Sequence, residues 1–95
     1  MNSADKRFLI QVYKNKAFSL CALGKYKEAL KCYDKALELD PNDPRTLNNK
    51  ALTLSDLGRH DEAIQLYNLI ITNLVDTTLK SKLERIKEEK EEELV

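Results

Sequence analysis

The sequence repeats itself with a period of 34 residues. When residues 15–33 are aligned with residues 49–67, nine of the nineteen pairs are identical. Random pairing at ordinary composition gives roughly one identity over such a stretch. A repeat of this length indicates one supersecondary unit used twice, in which each unit buries its apolar face by stacking on its neighbour.

Each unit has the pattern of two helices joined by a short turn. In the first unit, apolar or small residues follow helical spacing both before and after Gly24. Glycine tolerates the left-handed conformation that follows a last helical turn, and Asp43 followed by Pro44 is typical of the start of the next helix. Because the connection at Gly24 is very short, we expect the two helices to lie antiparallel.

This pattern resembles the tetratricopeptide repeat family. The residues that carry the resemblance are Tyr13, Ala17, Leu20, Ala29, Tyr33, Ala36 and Pro41 in the first unit, and Leu47, Ala51, Leu54, Ala63 and Tyr67 in the second. The second unit departs from the family pattern at its end, where Ile70 replaces a small residue and Val75 stands in place of the proline. The resemblance implies an all-α fold of antiparallel helix hairpins that form a short right-handed α-solenoid.

The repeat register divides the chain into segments of one domain over residues 1–95. We predict an N-terminal helix extension at 1–9 that Ser3 or Asp5 caps, repeat 1 at 10–43, repeat 2 at 44–75 and a capping helix at 76–95. In that last segment the residues that repeat the spacing of the first helix are Leu79, Leu83 and Ile86. Two hairpins and a capping helix make about five helices, and the capping helix would cover the apolar face of the last hairpin.

Composition disfavours several classes of function. The 95 residues contain 16 Lys+Arg and 16 Asp+Glu, and this balance gives no electrostatic footprint for nucleic acid or an anionic membrane. No apolar run reaches the length of a membrane helix, and we expect a cytoplasmic protein. Cys21, Cys32 and the single His60 lack metal-ligand spacing, so we predict no metal or cofactor and two partly buried thiols.

An enzymatic function is not predicted. The only glycines, Gly24 and Gly58, lie in turns and not in a phosphate-binding loop. His60 takes the core-like place that Tyr26 has in the first unit, and no Ser/His/Asp or Cys/His constellation can be assembled around it.

The resemblance implies a concave groove, lined by the first helix of each unit, that holds an extended peptide or a helix of a partner protein. The groove positions carried over to this sequence are Gln11, Lys14, Asn15, Phe18, Arg45, Asn48, Asn49, Leu52 and Lys80. The amides can bond a peptide backbone, and Lys14, Arg45 and Lys80 can attract a carboxylate. Phe18 and Leu52 either form an apolar step for a partner side chain or pack between neighbouring helices.

Two further interpretations concern the partner. Some family members clamp the acidic carboxyl termini of heat-shock chaperones, but only Lys14 and Asn49 match clamp positions, so we do not carry that specificity over. The alternative function is a self-associating structural unit, for which the apolar Phe8–Ile10 stretch and two ends that need capping are the reasons. A domain-swapped homodimer that exchanges chains across residues 73–78 is one route.

Overall fold

Four helices in two hairpins make up the fold. The computed structural model describes the backbone of residues 2–93 and the side chains of residues 2–89. The helices are α1 (Ser3–Ala22), α2 (Tyr26–Leu39), α3 (Pro44–Asp56) and α4 (His60–Glu93). All regular structure between residues 2 and 93 is helical, which confirms the all-α class. Met1 of the expected extension and residues 94–95 of the expected capping helix lie outside the described residues.

The two hairpin turns have the same geometry. Gly24 and Gly58 take positive φ angles of 77° and 80°, the left-handed conformation that only glycine adopts without strain. In the first turn Lys25 N–H donates to the Leu20 carbonyl at 2.8 Å, and in the second Arg59 N–H donates to the Leu54 carbonyl at 2.8 Å. These bonds give partners to carbonyls that would otherwise lack a hydrogen bond at the end of a helix.

Side-chain caps begin α1 and α3. Asp43 Oδ1 accepts a hydrogen bond from Arg45 N–H at 3.2 Å, and Pro44 follows it as the first helical residue, as predicted. For α1 the prediction of Ser3 or Asp5 as the cap is wrong. Asn2 caps the helix, and its Oδ1 accepts from Asp5 N–H at 2.8 Å. Asparagine is as good a capping residue as serine or aspartate, and Ser3 is instead the first residue of the helix.

Small residues lie at the centres of both hairpins. Ala17 and Ala29 in the first hairpin and Ala51 in the second have no exposed surface, and Ala63 is 2% exposed. Tyr33 packs with Ala17 and Ala29. Leu54 packs with Leu30 of the first hairpin as well as with the alanines of its own, so the two hairpins share one stacked core. Close approach of the backbones explains why the repeat keeps alanine at these positions.

The expected fifth helix is not a separate element. α4 runs without a break from His60 to Glu93, through the predicted end of repeat 2 at residue 75. The other helices end at a glycine or before Pro41, whereas residues 60–93 contain neither residue type. The hydroxyls of Thr77 and Thr78 also bond the carbonyls four residues before them, at 2.8 and 2.9 Å. The prediction of a separate fifth helix is therefore wrong, and the described part of the predicted capping helix is a continuation of α4.

The second half of α4 projects beyond the hairpins. Asn73 is the last half-buried residue of the helix among those whose side chains are described, and every side chain from Leu74 to Glu89 is exposed. Twenty helical residues after Asn73 extend about 30 Å. Within residues 2–93 no helix has the length and apolar character needed to cross a membrane.

Candidate functional site

Two contacts hold α1 and α3 side by side. Lys14 Nζ of α1 lies 3.5 Å from Oδ2 of Asp43, the residue that caps α3. About two turns further along α1, Cys21 Sγ lies 3.4 Å from Thr53 Oγ1 of α3. The first helices of the two repeats are therefore neighbours, and their outward side chains form one surface. We call this surface the α1–α3 face and define it by Gln11, Asn15, Phe18, Asn48 and Leu52.

The α1 part of this face presents an amide pair and an aromatic ring. Gln11 Nε2 donates to Asn15 Oδ1 at 3.0 Å, and both side chains are exposed. Phe18 is 73% exposed, so its ring is not used for packing between neighbouring helices. The other interpretation of Phe18, an apolar step for a partner side chain, stays a prediction.

The α3 part repeats the same chemistry. Leu52, which the 34-residue period aligns with Phe18, is 50% exposed. Asn48 and Arg45 are exposed, and Asn49 is half-buried. The carbonyl of Asn49 accepts a hydrogen bond from Thr53 Oγ1 at 3.0 Å. The face thus combines two exposed apolar side chains with amides that can both donate and accept.

Asp43 organises the charge at one end of the face. Its Oδ2 accepts from Thr46 Oγ1 at 2.6 Å and lies near the Lys14 ammonium, while Oδ1 takes the Arg45 N–H. Partial burial raises the pKa of the Asp43 carboxyl, but the Thr46 hydroxyl, the Lys14 charge and the Arg45 N–H together outweigh burial and hold that pKa below its ordinary value of 3.8. Lys14 is therefore bound within the chain, and Arg45 is the exposed cation of this end.

Asp43→Asn should lower stability at neutral pH and leave it almost unchanged in acid. A depressed carboxyl pKa contributes stability that is present above the unfolded value and lost as the pH falls through the folded value. Asparagine keeps the cap but loses the charge-assisted bonds, at about 1 kcal/mol. Chemical unfolding at neutral pH and below the ordinary value of 3.8 measures the difference. A gap between wild type and Asp43→Asn that persists undiminished in acid would contradict this role.

The structure does not bring Lys80 to the α1–α3 face. Lys80 lies on the projecting half of α4, and its side chain is exposed there. The other eight predicted groove residues lie on α1 or α3. Lys80 was predicted from the register of a third repeat, whereas residues 76–93 belong to α4, which continues without a break.

His60 also differs from its predicted core-like place. It is exposed, begins α4, and its Nδ1 lies 3.2 Å from Ser55 Oγ. This contact joins the end of α3 to the start of α4 across the turn. Both free thiols, in contrast, lie where predicted, with Cys32 buried and Cys21 half-buried.

A shallow cavity that the sequence did not suggest lies between α2, α3 and α4. It has a volume of about 350 Å³, and its lining includes Leu30, Leu54 and several charged residues. Lys50 Nζ lies 2.8 Å from Asp34 Oδ1, and Arg59 pairs with Glu62. These four charges pair with one another, and Lys27 and Lys31 also line the cavity, so its lining carries more positive than negative charge. The register of the repeat places Asp34 and Lys50 on adjoining helices, and that signal could have identified the pair.

Comparison with known proteins agrees with the repeat and its geometry. A family model described as "Tetratricopeptide repeat" matches residues 8–74, which include α1 from Phe8, all of α2 and α3, and α4 as far as Leu74. No curated protein sequence matches the chain. The match covers well over half of the chain and coincides with the two stacked hairpins, so this chain belongs to the tetratricopeptide repeat family.

Proposed function

We propose that the chain is a protein–protein interaction module whose α1–α3 face is a groove for a peptide or a helix of a partner protein. Tetratricopeptide repeats are a non-catalytic type of module that generally mediates interactions between proteins. The adaptor role and the use of this particular face are our proposal, because the family match alone supports only interaction between proteins. The cytoplasmic location expected from the sequence stays a prediction.

The observation that carries this proposal is the exposure of Phe18 and Leu52 at equivalent positions of α1 and α3. Their side chains are 73% and 50% exposed, although equivalent apolar residues in a repeat are normally part of its packing. Burial of such a pair by a partner is worth about 1.5–3 kcal/mol for each side chain. The neighbouring amides of Asn15 and Asn48 can bond the partner's backbone without selecting its side chains.

The basic residues near the α1–α3 face indicate what charge a bound peptide should carry. Because Lys14 is already bound to Asp43 and Lys80 lies on the projecting half of α4, Arg45 is the unpaired exposed cation among the three basic residues predicted for the groove. The face therefore suits a peptide with one or two apolar side chains and at most a single carboxylate near Arg45.

Selection from a random peptide library displayed on phage tests the proposal. Selected peptides are then titrated against the wild type and against Phe18→Ala/Leu52→Ala, with fluorescence anisotropy as the readout. We expect at least a tenfold loss of affinity, which corresponds to about 1.4 kcal/mol. Both side chains are largely exposed, so helix content and melting temperature should stay close to those of the wild type.

The matched control is Leu23→Ala/Leu69→Ala. These leucines are 72% and 42% exposed and lie away from the α1–α3 face, one after the end of α1 and one on α4. Peptides that bind this control as tightly as the wild type and bind Phe18→Ala/Leu52→Ala weakly would support the groove. Equal losses in both variants, or no loss in either, would place binding on another surface.

The second candidate function is self-association into a homodimer. The observation that favours it is the run of exposed apolar side chains along α4, among them Ile64, Ile71 and Leu83 at 54%, 58% and 67% exposure. Large apolar patches of this kind commonly mark interaction sites. The two candidates use different surfaces of the molecule, so each can be tested without the other.

A further inference from the structure

Six exposed apolar residues form a stripe along α4. At about 100° per residue they fall within one side of the helix, and they are Ile64, Ile71, Val75, Leu79, Leu83 and Ile86. This α4 stripe differs from the buried side of the helix, which Ala63 and Leu66 occupy against Leu54. Ile64 and Ile86 are 22 residues apart in the sequence, so the stripe is about 33 Å long.

The first repeat shows what covers the corresponding positions. The 34-residue period aligns Leu30 of α2 with Ile64 and Asp34 with Asn68. Leu30 is only 8% exposed because it packs against α3. Its neighbour there is Leu54, and Asp34 pairs with Lys50 at 2.8 Å. In the second repeat Ile64 and Asn68 lie on the corresponding side of α4, and both are exposed because no other helix of the described chain packs there.

The chain also contains a second set of residues like those of α3. Leu79, Lys82 and Ile86 repeat the spacing of Leu47, Lys50 and Leu54 thirty-two residues later. They lie on the projecting half of α4, where they pack against no other element of the described chain. Because α4 is continuous, these residues extend away from Ile64 and Asn68 and cannot cover them in the same copy.

We infer that a second copy of this chain covers the α4 stripe, with the two α4 helices antiparallel about a two-fold axis at Val75. This arrangement rests on the second candidate function, self-association. The axis places Ile64 of each copy opposite Ile86 of the other and Ile71 opposite Leu79. It also places Asn68 opposite Lys82, as Asp34 is opposite Lys50 within one chain, and the Asn68 side-chain carbonyl can accept from the Lys82 ammonium.

The register is what makes a second copy the occupant. α2 and α3 run antiparallel with Leu30 opposite Leu54 and Asp34 opposite Lys50. Transfer of these pairs to the aligned residues gives Ile64 with Ile86 and Asn68 with Lys82, and both pairs have the same midpoint, residue 75. Both segments lie on the one helix α4, so this antiparallel pairing necessarily has a single midpoint and can repeat itself about a two-fold axis there. Each projecting half of α4 then packs on the other copy in the position that the first helix of a third repeat would occupy.

Leu83 is consistent with this position. It aligns with Ala17 and Ala51, which must be small because each lies where the two helices of a hairpin approach. The projecting half of α4 has no hairpin partner within residues 2–93, so that restriction does not apply to Leu83. A leucine there adds apolar surface to the interface.

A cysteine on the proposed axis tests the arrangement in the intact chain. Residue 75 of one copy faces residue 75 of the other, so Val75→Cys should form a covalent dimer on mild oxidation because facing Cβ atoms come within about 4 Å. The control is Thr77→Cys, two residues away but on the side of α4 that lines a slot with Leu47 and Ile70 of its own chain. Peptide mapping identifies the cross-link and separates it from links to Cys21 or Cys32.

Light scattering of the unmodified chain accompanies the cross-linking. We expect twice the chain mass of 11.0 kDa at high concentration. The yield of covalent dimer linked through position 75 should be at least about tenfold higher in Val75→Cys than the yield linked through position 77 in Thr77→Cys. A monomer mass at every concentration would overturn self-association altogether. A dimer in which both introduced thiols link equally, or neither does, would overturn this interface and leave self-association by another surface. Neither result bears on peptide binding to the α1–α3 face.

Discussion

Leu54→Ala is expected to lower the free energy of unfolding by about 2–5 kcal/mol. Leu54 is 3% exposed and packs with Leu30, Ala51 and Ala63. Its removal opens a cavity between three helices at the junction of the two hairpins. Ala51 and Ala63 border that cavity and are too small to fill it. Urea unfolding followed by circular dichroism measures the effect.

A loss of this size is a large part of the stability of a domain of this length, which is typically at least about 5 kcal/mol. The melting temperature should fall by on the order of 20 °C. Leu52→Ala is the matched control because it makes the same chemical change on the same helix at a 50% exposed position. It should change stability by less than about 0.5 kcal/mol. Equal losses from the two variants would show that the hairpins do not share this core.

Opposite charges at residues 71 and 79 are expected to preserve the homodimer, and like charges to abolish it. In the antiparallel pairing, residue 71 of each copy faces residue 79 of the other. Ile71→Asp/Leu79→Lys therefore creates two opposite-charge contacts, and Ile71→Asp/Leu79→Asp creates two repulsive ones. Both variants lose the same apolar contacts, so the comparison between them isolates the sign of the charge.

The like-charge variant should dissociate about 1,000-fold more readily than the wild type, a change of about 4 kcal/mol, because it loses apolar burial and gains repulsion. The opposite-charge variant should bind at least about 30-fold more tightly than the like-charge one, and added salt should narrow that gap. Sedimentation equilibrium gives both constants. A parallel pairing would put residue 71 against residue 71, so an Ile71→Asp/Leu79→Lys variant that binds no more tightly than Ile71→Asp/Leu79→Asp would contradict the antiparallel arrangement.

The hairpins were predictable because short-range chemistry determines them. Gly24 and Gly58 end α1 and α3 by adopting a conformation that other residues avoid. The cap of α3 at Asp43 follows from the preference of the residue itself. The alanines at the helix crossings recur one period apart, as Ala17 and Ala51 and as Ala29 and Ala63, and all four are buried. Each of these features can be predicted from the residues of one unit together with the expectation that such units stack.

The candidate site was predictable only in part. The period places Phe18 and Leu52 on equivalent turns of α1 and α3, but it does not determine whether they are exposed or packed. Their exposure depends on how closely the two helices approach. Lys14 has the chemistry of a ligand-binding residue, and only the fold shows that Asp43 already binds it. Lys80 has the right register, but the path of α4 removes it from the face.

By itself the sequence determined the repeat, its helical content and the small residues at its hairpin crossings, because these depend on backbone preferences and on side-chain size. It did not determine the path of the chain after Asn73. Without glycine or proline between residues 60 and 93, the local preference is to continue the helix, whereas the apolar pattern of Leu79, Leu83 and Ile86 favours packing against a hairpin. In the tertiary structure α4 continues without a break, so these apolar residues meet no hairpin of the described chain.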